Sequence, residues 1–258
     1  MKTTVWSLAL SVFFLLPVHA DLTIVYSTTV QPASQSQKAE GTGAATNMTI
    51  KIKGDKARIE ASPQLTTIFD GTTGEVINLM NDQKTVVRIS PEKMKAVTDM
   101  LNKFSSKKPA PEKRKLTPTG SKEMVNGYET EQYTYDGPDF KAIYWVAPSY
   151  PDGTAILAQL QSIKSEFWDA ANTKMPDFRD FPGLPIRTRL IMAKDVQEKK
   201  RGASPAAGHA TEITSTISSV NQNPISDSEF SVPGDYKEAK LPDIFGERTA
   251  APSVSPSP

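Results

Sequence analysis

The sequence predicts a mainly β, α+β fold, a long antiparallel sheet that curls, with two amphipathic helices packed on its concave side. Three observations carry this. Short segments rich in β-branched and aromatic residues alternate apolar and polar at period two. Tight-turn dipeptides such as Gly54-Asp55 and Asn126-Gly127 join them, as hairpins between antiparallel neighbours require. Two stretches only carry a helical apolar stripe. A sheet of so many strands accumulates twist and curls.

The first twenty residues read as a cleaved signal peptide. Lys2 supplies the positive end, Val5 through Leu16 the apolar run, and Val18-His19-Ala20 the cleavage site. The run is shorter than the roughly 20 residues a bilayer span needs. Cleavage after Ala20 removes Lys2, leaves a formally neutral chain and places it in the periplasm or outside the cell. Nothing after residue 21 has the pattern of a transmembrane helix.

Residues 21–241 read as one domain. Leu22–Gln31 opens it with Leu22, Ile24 and Tyr26 on one face of a strand. Met48, Ile50 and Ile52 alternate with Thr49, Lys51 and Lys53, and Ala57, Ile59 and Ala61 return across the Gly54-Asp55 turn. Leu65–Phe69, Glu75–Met80 and Thr85–Ile89 continue the meander. Ser90 then caps a helix with Pro91 at its first position, and Met94, Val97, Leu101 and Phe104 form its apolar stripe. Lysines and prolines over Ser105–Pro118 give a linker.

Lys122–Val125, Tyr128–Tyr135 and Lys141–Ala147 follow as strands. A second amphipathic helix spans Thr154–Ala171, with Ile156, Leu160, Ile163 and Phe167 on one face and Trp168 beside it. Met175–Pro185 is an aromatic, proline-rich loop. Ile186–Glu198 and Glu212–Val220 form a long hairpin, Glu229–Phe230 begins a last strand or turn, and residues 242–258 are a low-complexity tail.

Composition excludes several chemistries. Without cysteine there is no disulfide framework, thiolate metal site or thiol nucleophile. His209 is the one histidine after the leader, and its Gly/Ala-rich turn context reads as exposed. Glu166 with Asp169, and Asp177 with Asp180, are the carboxylate pairs a hydrolase could use, though their setting is that of surface acids. Arg187 and Arg189 read as ordinary strand-face charges. No nucleotide-binding, metal-binding or nucleophile-elbow motif occurs, so no cofactor is expected. The balance of 30 basic against 29 acidic residues gives no field for nucleic acid. Asn47-Met48-Thr49 fits a glycosylation sequon.

Several segments carry a resemblance. Gly54-Asp55-Lys56-Ala57-Arg58-Ile59-Glu60, Thr67-Ile68-Phe69-Asp70-Gly71, Val125-Asn126-Gly127-Tyr128 and Phe230-Ser231-Val232-Pro233-Gly234-Asp235-Tyr236 resemble the DUF4412 family of exported bacterial proteins. That family is in turn similar to the lipoprotein carrier and receptor proteins LolA and LolB. The resemblance implies an unclosed, strongly curved β-barrel whose helices plug a cavity for acyl chains. In the carriers a strand arginine helps hold the helical lid. Arg58 is the nearest match, with Ile59 where the carriers have proline.

The expected function is therefore a non-enzymatic exported protein that binds or carries a lipid or other apolar ligand. Arg58, Met94, Val97, Leu101, Phe104, Trp145, Ile156, Leu160, Phe167 and Trp168 are the candidate ligand-binding residues. The alternative is an envelope interaction or scaffold protein with a filled core and a protein partner. A carboxylate-dependent hydrolase is the remaining reading.

Overall fold

A computed structural model describes residues 21–32, 45–96, 99, 115–137, 140–163, 175–192 and 211–239. The first half is a meander of β1 (Leu22–Pro32), β2 (Thr46–Lys53), β3 (Lys56–Ser62), β4 (Leu65–Asp70), β5 (Glu75–Met80) and β6 (Thr85–Ile89). Helix α1 is described over residues 91–96. The second half runs β7 (Thr117–Val125), β8 (Tyr128–Asp136), β9 (Phe140–Ala147), α2 (Gly153–Ser162), β10 (Leu184–Met192) and β11 (Thr211–Asn221), and the short β12 (Lys237–Glu238) ends the described chain.

All twelve strands form one sheet in the order β12-β6-β5-β4-β3-β2-β1-β11-β10-β9-β8-β7. Every pairing is antiparallel except that of β12 on β6. The pairing of β1 with β11 joins the two halves, while β7 and β12 remain the outer strands, so the curved sheet is not closed.

Residues paired across an antiparallel ladder point to the same face. The registers put Leu22, Ile24 and Tyr26 on one face with Ile52, Ala57, Phe69 and Val76. They put Trp145 and Arg187 on the other face with Thr216 and Ser27. Yet Trp145, Ala147 and Leu184 share one buried cluster with Leu22, Ile24 and Ile52. Bulges at Val25/Tyr26 and Pro185/Arg187 lie between these strands and break the alternation of faces, and twist of about 20–25° per strand pair turns β9 by about a quarter turn against β2.

The faces left over are covered separately. Ile225 and Phe230 pack on Ile68, Ile77, Leu79 and Val86 of β4–β6. Phe181 packs on Tyr135, Ala142, Tyr144 and Val146 of β8–β9.

Four differences from the sequence reading have local causes. β7 begins at Thr117, inside the expected linker, because it accommodates Pro118 and Gly120 (φ 76°) at a register shift against β8. Helix α2 stops at Ser162, since Ile163 leaves helical geometry (φ −70°, ψ 86°) while staying buried. Within the aromatic loop, Phe178–Asp180 winds into a 3-10 turn capped by Asp177, which accepts a hydrogen bond from the Arg179 amide. Asp227–Phe230 is likewise a 3-10 turn, capped by Ser226, and β12 follows it.

Candidate functional site

Four of the candidate residues meet. Met94 of α1, Trp145 of β9, and Ile156 and Leu160 of α2 belong to the same buried cluster. Helix α2 supplies Ile156, Leu157 and Leu160 at helical spacing, followed by Ile163, and all four are at most 6% exposed. They share their buried cluster with Leu184 and Ile186 of β10 and with the sheet residues Leu22 and Ile52. The described part of the helix–sheet space is thus filled by the protein's own side chains. Val97, Leu101, Phe104, Phe167 and Trp168 lie outside the described residues, as do His209, Glu166 and Asp169.

Arg58 is not with them. It sits between Ala57 and Ile59, which face the core, and so points to the opposite face of β3. There its Nε donates to Glu60 Oε1 (2.8 Å) and an Nη to the Glu229 carbonyl (2.8 Å). In this fold Arg58 therefore holds the segment after β11, not a helix. Neighbouring ion pairs do the same: Lys51 with Glu229 at 2.8 Å, Lys53 with Asp227 at 2.9 Å, Lys84 with Asp235 at 2.6 Å and Arg88 with Glu238 at 2.8 Å. Hydrogen bonds from Lys53, Lys51 and Lys84 hold Asp227, Glu229 and Asp235 below the usual carboxylate range. Residues 225–239 are a strap across β3–β6.

Trp145 is the centre of a polar cluster at the rim of the core. Its indole Nε1 donates to Glu123 Oε2 (2.7 Å), and Arg187 reaches Glu123 Oε1 (3.2 Å) and Thr216 Oγ1 (3.2 Å). The Arg187 and Arg189 guanidinium carbons lie 5.6 and 5.9 Å from the indole ring centroid, within cation–π range. Arg189 Nε sits 2.9 Å from the buried Glu212 carboxylate, as an ion pair rather than an aligned hydrogen bond. The two arginines that read as ordinary surface charges are a stacked, carboxylate-paired layer over one tryptophan.

A recess of about 510 Å³ opens beside this cluster, where the β7–β8 turn meets the β11 bulge. Ser27, Asn126, Tyr128, Tyr150, Ile186, Thr216, Ile217 and Ser218 line it. Asn126 adopts the left-handed conformation its Asn-Gly turn requires (φ 51°), and its Nδ2 donates to the Ile217 carbonyl (2.7 Å), pinning the turn to β11. Tyr128 and Tyr150 pack ring to ring, centroids 4.7 Å apart and planes tilted by 43°. Burial, then the neighbouring Tyr150, pushes the Tyr26 phenol up to about 12.

Of the carboxylate pairs, Asp177 caps its 3-10 turn and is held below its ordinary range by its hydrogen bonds from Arg179. A group so engaged favours the ionised form, the opposite of a general acid. Among the described residues no three His, Cys, Asp or Glu side chains gather as metal ligands, and no helix is long and apolar enough to cross a membrane.

The model of the family described as "Domain of unknown function (DUF4412)" matches residues 36–236. The chain belongs to the DUF4412 family. Its matched region takes in β2 to β11, α2 and the 3-10 turns at Phe178–Asp180 and Asp227–Phe230, and leaves out β1 and β12. No curated protein matches. Among solved structures, PNGF-II in a P21 and in a C2 space group are each 11% identical with a TM-score of 0.37, over 85% and 88% of this chain. This chain spans about a third of their length, 31% and 32%.

Sequence reasoning did not single out the recess of this DUF4412 chain. Its walls come from positions near 27, 126, 150, 186 and 217, which no local spacing connects. The one legible sign was the Asn126-Gly127 turn, whose side-chain role depends on where β11 lies. For the Trp145 cluster the sign was Arg187 and Arg189 at period two, but a strand face shows its partner only after register is known.

Proposed function

We propose that this DUF4412 chain is an exported, non-enzymatic protein whose work is binding. The leader pattern supports export. Two forms of that reading compete, a carrier of a lipid or other apolar ligand and an interaction protein with a filled core. The packing under α2 favours the second, because Ile156, Leu157, Leu160 and Ile163 occupy the space where an acyl chain would lie. An acyl ligand would have to displace close-packed side chains, and cores packed to crystal-like density resist that.

Native mass spectrometry of the protein purified without detergent, followed by solvent extraction, tests the choice. The expected result is the bare chain, with no acyl lipid in the extract. A stoichiometric lipid carried through purification would restore the carrier reading and reject the filled-core one.

A further inference from the structure

We propose that the recess between the β7–β8 turn and the β11 bulge binds a neutral carbohydrate, one or two sugar rings of a glycan. The first observation is what lines it. No acidic, basic or histidine side chain is among the lining residues, which are hydroxyls, one amide, two tyrosine rings and two isoleucines. The Arg187 guanidinium behind Thr216 is already paired with the Glu123 carboxylate, so a phosphate or carboxylate would find no free counter-charge there. Its volume, about 510 Å³, lies inside the roughly 300–1,000 Å³ range of small-molecule sites.

The second observation is the state of its polar groups. Among the described residues, the hydroxyls of Ser27, Tyr128 and Tyr150 make no hydrogen bond to the protein. Thr216 Oγ1 accepts from Arg187, which leaves its own O–H to donate into the recess. Ser218 Oγ donates to the Val25 carbonyl (3.0 Å), which leaves its lone pairs to accept. Asn126 spends an amide proton on Ile217 and keeps Oδ1 as an acceptor. Donors and acceptors are thus interleaved, and sugar hydroxyls, each able to donate and accept, match such a set.

An apolar or flat aromatic ligand could cover the tyrosines but would desolvate these groups unpaired, which disfavours it. A sugar ring offers C–H bonds to the Tyr128–Tyr150 wall and hydroxyls to the rest. The third observation is local construction. Both bulges, at Val25/Tyr26 and at Pro185/Arg187, border the recess, and the second places Ile186 in its lining. Bulges break ladder pairing and recur beside functional sites, where they re-aim side chains.

Aromatic ¹H–¹³C spectra of the full chain, titrated with glucose, galactose, mannose, N-acetylglucosamine and their β1,4- and α1,4-linked disaccharides, test the proposal. At least one sugar is expected to shift the Tyr128 and Tyr150 ring signals saturably. Ser27→Val, which suits a strand, and Tyr150→Ala should each weaken that binding about tenfold. Tyr144→Phe, across the sheet, should leave it unchanged, and circular dichroism checks that each variant folds. No saturable shift with any sugar would overturn the proposal. So would sugar shifts that Ser27→Val leaves intact, or the dye 1-anilinonaphthalene-8-sulfonate moving these rings when no sugar does.

Discussion

Single residues show how differently two adjacent aromatic side chains are used. The Trp145 indole N–H is paired with Glu123, whereas the Tyr144 hydroxyl, one residue earlier and on the opposite face, has no hydrogen-bond partner among the described residues although the residue is 4% exposed. Burial, then the neighbouring Tyr135, pushes the Tyr144 phenol well above its ordinary range. Tyr144→Phe keeps the edge-to-face contact with Phe181, 4.9 Å between centroids, and removes the orphan hydroxyl. It should be neutral or stabilise by up to about 1 kcal/mol in urea unfolding, because an unsatisfied buried hydroxyl costs that order of free energy. A marked loss of stability would show that the hydroxyl is satisfied. Gly183 is fixed by proximity, since a Cβ there would lie 2.7 Å from the Ala147 carbonyl oxygen and 2.7 Å from Pro148 Cα. Those are backbone atoms of the strand end that carries Trp145, so they cannot swing away. Gly183→Ala should cost about 1–3 kcal/mol by the same measurement.

At the scale of elements, α2 and the strap hold to the sheet by different forces. The N-cap residue of helix α2, Asp152, makes no side-chain cap hydrogen bond, and the helix has no acidic residue in its first turn and no basic one in its last, so its docking rests mainly on apolar burial. Leu160→Ala should destabilise the fold by about 2–5 kcal/mol, with little dependence on salt. The strap adds ion pairs to the burial of Ile225 and Phe230. Its carboxylates have lowered pKa values, so their contribution is fully present above their unfolded values of about 4. It is lost as pH falls through the lower folded values. Lys53 and Lys84 are raised, chiefly by hydrogen bonds from the same pairs, so their share is lost only as pH rises past about 10.5. Amide exchange at residues 225–239 should accelerate relative to α2 on acidification through that lower window. Equal acceleration in both elements would indicate that the strap does not open separately. These pairs are exposed, so high salt should weaken the strap too.

For the whole molecule, one cluster draws on both halves of the sheet, with Leu22 and Ile52 from the first and Trp145, Leu184 and α2 from the second. The halves should therefore unfold together, with tryptophan fluorescence and circular dichroism giving the same urea midpoint. Separate midpoints would mean that the pairing of β1 with β11 joins two independent units. The meander β1–β6 was legible in the sequence because Ile50/Ile52, Ala57/Ile59 and their neighbours alternate at period two between short turns, and both signals are local. The start of β7 was not, because Thr117–Met124 is exposed throughout and so lacks the alternation that reveals a half-buried strand. The polar face of β3 that carries Arg58 was legible too, but its partner, the Glu229 carbonyl, lies 171 residues further along the chain and no local pattern connects the two. What the sequence by itself determined, then, is the strand content, the turns, the apolar face of α2 and the charge-balanced, cysteine-free chemistry available. What only the tertiary structure decided is which faces meet. Bulges and twist between β2 and β9 bring residues from opposite sides of the ladder into one core. The same twist sets the β7–β8 turn against β11, and the recess and the Trp145 cluster exist only once that long-range geometry is made.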